Sequence, residues 1–304
     1  MWLSSDSVDA QAYDAYVSSA RYFNRGNHHV RQREYDDAIA CFSQAIQLQP
    51  DKAVAYFNRG LAYQAMGNQQ LADADFEQAY SLRGRSYAAK GEHDRAITDF
   101  TQLISLQPDS AKAYLARGNS YANGGKHDRA IADLTRVVQL QPELTEAFLI
   151  RGHCYAKTEN LQAAIADYTQ ALKCESSLLE AYLHRGKCFA KEREHERAIA
   201  DFMVITRLQP DHADGFCALG FAQGSVREYD RAIANFTEAL RLLPDLAEAY
   251  YGRGFALGST GKHAAAVRDF RQALRLDPER AGVYYAQGKG FDCIGGRDLS
   301  LIHI

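Results

Sequence analysis

KHDRAIADL, residues 126–134, places a base, a carboxylate and a guanidinium side by side in His127, Asp128 and Arg129, with Asp133 close behind. Such a set can carry general acid–base chemistry. A catalytic constellation normally occurs once in a chain. This one recurs as HDRAITDF at 93–100, HERAIADF at 195–202 and YDRAIANF at 229–236. At its first position His93, His127, His195 and His263 alternate with Tyr35 and Tyr229. An imidazole that exchanges with a phenol packs a turn. Successive histidines also stand one repeat apart, too far to share an ion. No catalytic residue, no metal ligand and no cofactor is therefore expected here, and the chain does not read as an enzyme.

The elements behind this stretch have a period. Pro108 and Pro142 are spaced by 34 residues, and so are Pro210, Pro244 and Pro278. Ser176 stands where the proline between Pro142 and Pro210 would fall, and Pro50 ends the first unit. Periods of 20–50 residues mark solenoids. Each unit holds two amphipathic segments. In 111–144, Tyr114, Gly118 and Tyr121 fall on one face of a first helix, and Ala130, Leu134 and Val137 on one face of a second. Gly124-Gly125 separates the two, Asp128 is read as the cap of the second, and Pro142 stops it. Glycines 26, 60, 84, 118, 152, 186, 220, 254 and 288 share one place in the first helix. Alanines 38, 72, 96, 130, 164, 198, 232 and 266 share one in the second. A glycine inside a helix costs about 1 kcal/mol relative to alanine, so its recurrence predicts two backbones in close approach. One helix pair cannot cover both its faces, so neighbours must stack.

AYFNRGLAYQAMGNQQLADADFEQA (55–79) and AYLARGNSYANGGKHDRAIADL (113–134) closely resemble tetratricopeptide repeats in their aromatic, glycine, tyrosine and alanine columns. The likeness covers residues 19–298, with 1–18 as a lead-in. The units are 19–52, 53–82, a shortened 83–110, 111–144, 145–178, 179–212, 213–246, 247–280 and a partial 281–298. The resemblance implies an all-α fold, a right-handed superhelical solenoid of antiparallel helix pairs, with first helices lining a concave groove.

That implied groove takes one column from Phe23, Phe57, Leu115, Leu149, Leu183, Cys217, Tyr251 and Tyr285. A neighbouring column supplies Asn27, Leu61, Arg85, Asn119, His153, Lys187, Phe221, Phe255 and Lys289. These positions are expected to stand free of the core, because the glycine and tyrosine columns already fill it. The middle of the groove is then polar and basic, its C-terminal part aromatic, and Glu146, Glu180, Asp214 and Glu248 follow one edge. Such a surface suits a peptide with apolar anchors and some negative charge. Co-chaperone members of the family hold a C-terminal carboxylate with two asparagines, two lysines and an arginine. Asn27 and Asn58 match the asparagines, Phe23 replaces the first lysine, and the place of the second lysine and the arginine is missing.

An arginine precedes most column glycines, and an aspartate recurs on the second helix. The predicted intrarepeat pairs are Arg59–Asp75, Arg83–Asp99, Arg117–Asp133, Arg151–Asp167, Arg185–Asp201 and Arg253–Asp269. Where Leu219 replaces the arginine, Asn235 replaces the aspartate; Arg25 faces Cys41. Arginine suits a partly buried carboxylate because its fork binds it in two places.

Two irregularities interrupt the pattern. Arg59 and Arg83 are 24 residues apart, ten short of the period, so LADADFEQAYSLRGRSYAAK can run as one continuous helix; either the solenoid divides there or the sequence record is in error. LSLIHI (299–304) fits no repeat column; its codons can be read as a transposase sequencing adapter, so it is expected to be translated adapter. The last unit would then stop after its first helix, and the native chain would continue.

The formal net charge of −3 is spread along the chain with no basic block, which argues against a nucleic-acid partner. No stretch approaches a membrane span, and MWLSSDSVDAQAY lacks the features of a secretory signal. Six cysteines without a CxxC pair read as small buried thiols in a reducing, cytoplasmic compartment. The function expected is a scaffold or adaptor for a protein or peptide. The alternatives are the recruiting region of a larger enzyme such as a glycosyltransferase or phosphatase, a chaperone adaptor with an incomplete carboxylate clamp and, last, an RNA-binding array.

Overall fold

The computed structural model describes residues 5–280, and among them the protein is all α. Tyr285, Lys289, the partial unit 281–298 and LSLIHI lie outside the described residues. Fifteen helices follow one another: α1 (Ser5–Arg31), α2 (Tyr35–Leu48), α3 (Ala53–Ala65), α4 (Gln69–Ala89), α5 (His93–Leu106), α6 (Ala111–Asn123), α7 (His127–Leu140) and α8 (Thr145–Lys157). Then come α9 (Leu161–Cys174), α10 (Leu179–Lys191), α11 (His195–Leu208), α12 (Ala213–Ser225), α13 (Tyr229–Leu242), α14 (Ala247–Ser259) and α15 (His263–Leu276). A 3-10 turn closes the series at Pro278–Arg280. From α1 to α7 and from α9 to α15 each helix packs on its neighbour in sequence, so both stretches are solenoids of helix pairs. Residues 5–18 of the expected lead-in already form the first half of α1. No described helix is long and apolar enough to cross a membrane.

The turns make the pairs. Three residues join each first helix to its second, and one of them takes a left-handed conformation. At Gly67, Gly91, Gly125 and Gly261 this conformation meets no steric penalty, with φ between 74° and 80°. Arg33, Glu159, Arg193 and Arg227 adopt it with φ between 58° and 64° in spite of their side chains. The helix after such a turn begins at the column of histidines and tyrosines, a place taken by Gln69 in α4 and Leu161 in α9. In α7 the first helical residue is His127 and the flanking residue is Lys126, which makes no side-chain cap. Asp128 is therefore not the cap the sequence suggested. It sits in the first turn, where its charge meets the positive end of the helix dipole. Ser110 and Asn160 do cap, accepting from the amides of Ala113 and Ala163.

The glycine column works by close approach. A Cβ on Gly186 would lie 2.5 Å from Cε1 of Phe202, and one on Gly26 would lie 2.6 Å from Cε1 of Phe42. The ring of each second helix, or Leu134 in α7, thus rests on bare backbone of the first. Burying a phenyl side chain is worth about 1.5–3 kcal/mol, which outweighs the cost of a helical glycine. The alanine column is sealed beside it: Ala38, Ala72, Ala96, Ala130, Ala164, Ala198 and Ala232 are all buried. Cys41, Cys154, Cys188 and Cys217 share this interior, whereas Cys174 is exposed and departs from the expected burial.

The short junction at Leu82–Arg83 is spanned by α4, which runs unbroken for 21 residues. Its first half packs Phe76 under Gly60 of α3; its second half lays Gly84 on Phe100 of α5. One helix therefore ends one pair and begins the next, and both pairs form. The stack does not divide there. The chain divides into two compact units, with the boundary in sequence between Ile150 and Arg151.

Candidate functional site

The six arginine–aspartate pairs are each forked. Arg117 donates from Nε and Nη2 to the two oxygens of Asp133 at 2.7 and 2.8 Å. Arg59–Asp75 and Arg83–Asp99 repeat the geometry at 2.6–2.8 Å. Arg151–Asp167, Arg185–Asp201 and Arg253–Asp269 do so at 2.7–2.9 Å. The carboxylates are buried. Hydrogen bonds to Asp133 hold the Arg117 guanidinium above its usual pKa, against the opposing effect of burial.

A third contact was not anticipated. Nη1 of Arg59, Arg117, Arg185 and Arg253 donates to Ser43, Thr101, Thr169 and Thr237 on the second helix of the preceding repeat, at 2.9–3.3 Å. One guanidinium thus ties three helices together across a repeat boundary. The hydroxyl column stands two residues after the acidic column, and that offset was its signal in the sequence. Where Leu219 replaces the arginine and Asn235 the aspartate, Met203 replaces the hydroxyl. Asn235 instead donates to Gln223 Oε1 at 2.6 Å. A cleft of about 480 Å³ opens there beside Met203, Leu219 and Phe216. Arg25 donates to His29 at 3.4 Å.

The first-helix columns lie in two kinds of environment. Phe23, Phe57 and Tyr251 stack on Phe42, Phe76 and Phe270, with ring centroids 5.8, 5.4 and 5.8 Å apart. Tyr251 is 6% exposed and Cys217 5%, so these positions pack the core rather than standing free of it. The reason is geometric: glycine removes its own side chain, and the neighbouring column covers the ring that rests there. Leu115, Leu149, Leu183, Asn119, His153 and Phe255 are half-buried, and Arg85 and Lys187 exposed. Phe221 is 39% exposed and meets Phe236 edge-on at 4.9 Å. Asn58 Nδ2 donates to Asn27 Oδ1 at 2.7 Å, joining the two asparagines of the carboxylate-clamp pattern. Beside them Lys52 Nζ lies 5.3 Å from the Phe23 ring centre.

The second unit holds an aromatic cleft of about 500 Å³ lined by residues of α12, α13 and α14. Phe221, Phe236, Tyr251 and Phe255 form its wall, and Arg227 lies among the lining residues. Gly224, with nothing near its Cβ position, and Gly252 leave room for it.

The same unit gathers a polar cluster that the columns concealed. His153 of α8 and His184 of α10 stand with ring centroids 4.2 Å apart and planes at 76°. Glu180, one turn before His184, places Oε1 3.6 Å from His153 Nε2. Tyr168 of α9 is fully buried against both imidazoles, at 5.6 and 6.0 Å. Neither the Tyr168 hydroxyl nor His153 Nε2 has a hydrogen-bond partner. An unsatisfied buried group of this kind costs about 1–3 kcal/mol. Burial lowers the pKa of both histidines, that of His184 to about 4.

Family models described as TPR repeat or tetratricopeptide repeat match 22–67 and 228–261, 53–84, 247–280, and the overlapping spans 81–145, 115–177 and 151–213. The chain belongs to the tetratricopeptide repeat family. Similar tetratricopeptide solenoids include the crystal structure of MamA, 25% identical with a TM-score of 0.51 over 54% of this chain and 96% of that one. YrrB, described as a TPR protein with an unusual peptide-binding site, is 21% identical with a TM-score of 0.51 over 70% of this chain and 97% of its own. The Cut9–Hcn1 structure from the APC/C is 17% identical with a TM-score of 0.55, covering 83% of this chain and 52% of that one. Human small glutamine-rich tetratricopeptide repeat-containing protein beta is 39% identical over 54 residues, which span 18% of that protein's length.

Proposed function

We propose that this protein is a protein–protein interaction scaffold whose first-helix faces take a peptide or a partner's segment. The observation that carries this reading is the aromatic cleft of about 500 Å³ in the second unit, with Phe221 39% exposed at its wall. An aromatic-lined cavity of this size accepts one or two apolar anchor side chains. Arg227 suits a partner that carries acidic residues next to its anchors. The family membership supports the reading, and YrrB, a similar fold, is described as having a peptide-binding site. Selecting peptides from a displayed random library on the full chain tests it. Phe221→Ala and Phe255→Ala should each weaken the selected peptides about 30-fold, as loss of an interface anchor does. Peptides that bind both variants as well as the wild type would exclude the cleft.

The hydrogen-bonded Asn27 and Asn58 favour a second reading, a chaperone adaptor that binds a C-terminal carboxylate. Peptides with a free C-terminus should then bind and their C-terminal amides should not. Equal binding of both forms would remove this reading and leave the scaffold intact.

A further inference from the structure

We propose that His153, Glu180 and His184 bind one divalent transition-metal ion of the zinc class. The donor atoms of the three side chains all lie within 4.8 Å of one another. Ligands at about 2.0–2.1 Å from a tetrahedral zinc ion stand roughly 3.4 Å apart. The His153–Glu180 separation of 3.6 Å already matches that spacing. Glu180 is the exposed member of the set, on the solvent side of the two half-buried imidazoles. Two imidazoles and one carboxylate select zinc or its transition-metal neighbours; calcium and magnesium prefer oxygen ligands alone. Three protein ligands leave the fourth position of the ion to water.

Two further observations converge on the same place. His153 Nε2 and the Tyr168 hydroxyl are both buried and lack hydrogen-bond partners. A bound ion would use the nitrogen directly, and its water or carboxylate ligand would give the hydroxyl a partner. The cluster is also singular. The flanking repeats carry Asn119 and Lys187 in place of His153, and Ile150 and Ala218 in place of His184. The aromatic column carries phenylalanine or leucine at every other place where Tyr168 stands. One departure from a regular column thus meets two histidines whose own columns carry no other histidine, unlike the turn histidines, which recur. The site does not depend on peptide binding, and the two can fail separately.

Titration of zinc chloride into the full chain, followed by calorimetry in a phosphine reductant, tests the site. The controls are His153→Asn with His184→Ala, residues that other repeats carry, together with Glu180→Gln and Tyr168→Phe. The wild type should bind one equivalent that the double variant lacks. Glu180→Gln and Tyr168→Phe should weaken it at least tenfold, as loss of ligand support does. Zinc should also raise the unfolding temperature of the wild type and not of the double variant. A second cluster, His29, Glu34 and Asp37, provides the counter-test, and His29→Ala should leave the binding unchanged. The same stoichiometry and affinity in the wild type and in Glu180→Gln would overturn the proposal, even if the double variant failed to fold. So would binding that only His29→Ala removes.

Discussion

A single guanidinium ties three helices of this fold together. Arg117 forks Asp133 within its own pair and reaches Thr101 on the pair before. Removing one partner of a buried ion pair leaves a charge without compensation, a loss of up to 3–5 kcal/mol. Because the arginine retains contact with solvent, Asp133→Asn should cost about 2 kcal/mol in urea unfolding. The repeat with Met203, Leu219 and Asn235 has replaced the whole set. Thr101→Met, Arg117→Leu and Asp133→Asn together should therefore destabilise by less than half of the single change. A triple variant less stable than Asp133→Asn would show that the three residues do not act as a unit.

At the scale of the helix pair, packing is set by what the first helix omits. Gly186→Ala would bring a methyl group against Phe202, whose ring already stands 2.5 Å from that position. The ring is held by its neighbours, so overpacking should cost about 1–3 kcal/mol in chemical unfolding. The turns offer the opposite case. Glu159 holds a left-handed conformation at φ 58°, a position that glycine occupies in four other turns. Left-handed backbone costs a side-chain-bearing residue roughly 1–2 kcal/mol. Part of that is returned through the greater freedom of an unfolded glycine. Glu159→Gly should raise stability by about 0.5–1 kcal/mol, and a lower unfolding midpoint would argue that Glu159 has a role its turn does not explain. The exposed ion pair of Glu159 with Lys191 at 3.2 Å is too solvated to reverse the sign.

For the whole molecule the governing fact is that stability is a sum over neighbours. The α4 junction lacks one turn and half a helix, so one interface between successive pairs is built by a single rod. Inserting QPDSAKAYLA, the segment that separates Leu106 from Arg117, between Leu82 and Arg83 should restore the regular connection. The expected result is a higher urea midpoint with the helical signal per residue unchanged. A lower midpoint would mean that the continuous helix is the better-packed arrangement. Because contacts are local, the insertion should leave zinc and peptide binding in the second unit unaltered.

Much of this architecture was readable from the residues, because a repeat prints its packing many times over. The 34-residue spacing, the glycine and alanine columns and the arginine–aspartate offset each recur, and recurrence separates packing from accident. The cleft at Phe221 and the burial of Tyr251 were decided only in three dimensions, since a column states which residues share a face and not how deeply each is covered. The same holds for His184. It belongs to a column of unlike residues, and nothing in its position along the chain points to His153, 31 residues earlier. The stacking of α8 and α10 brings the two together, and the distance between imidazoles on neighbouring first helices belongs to the tertiary structure alone.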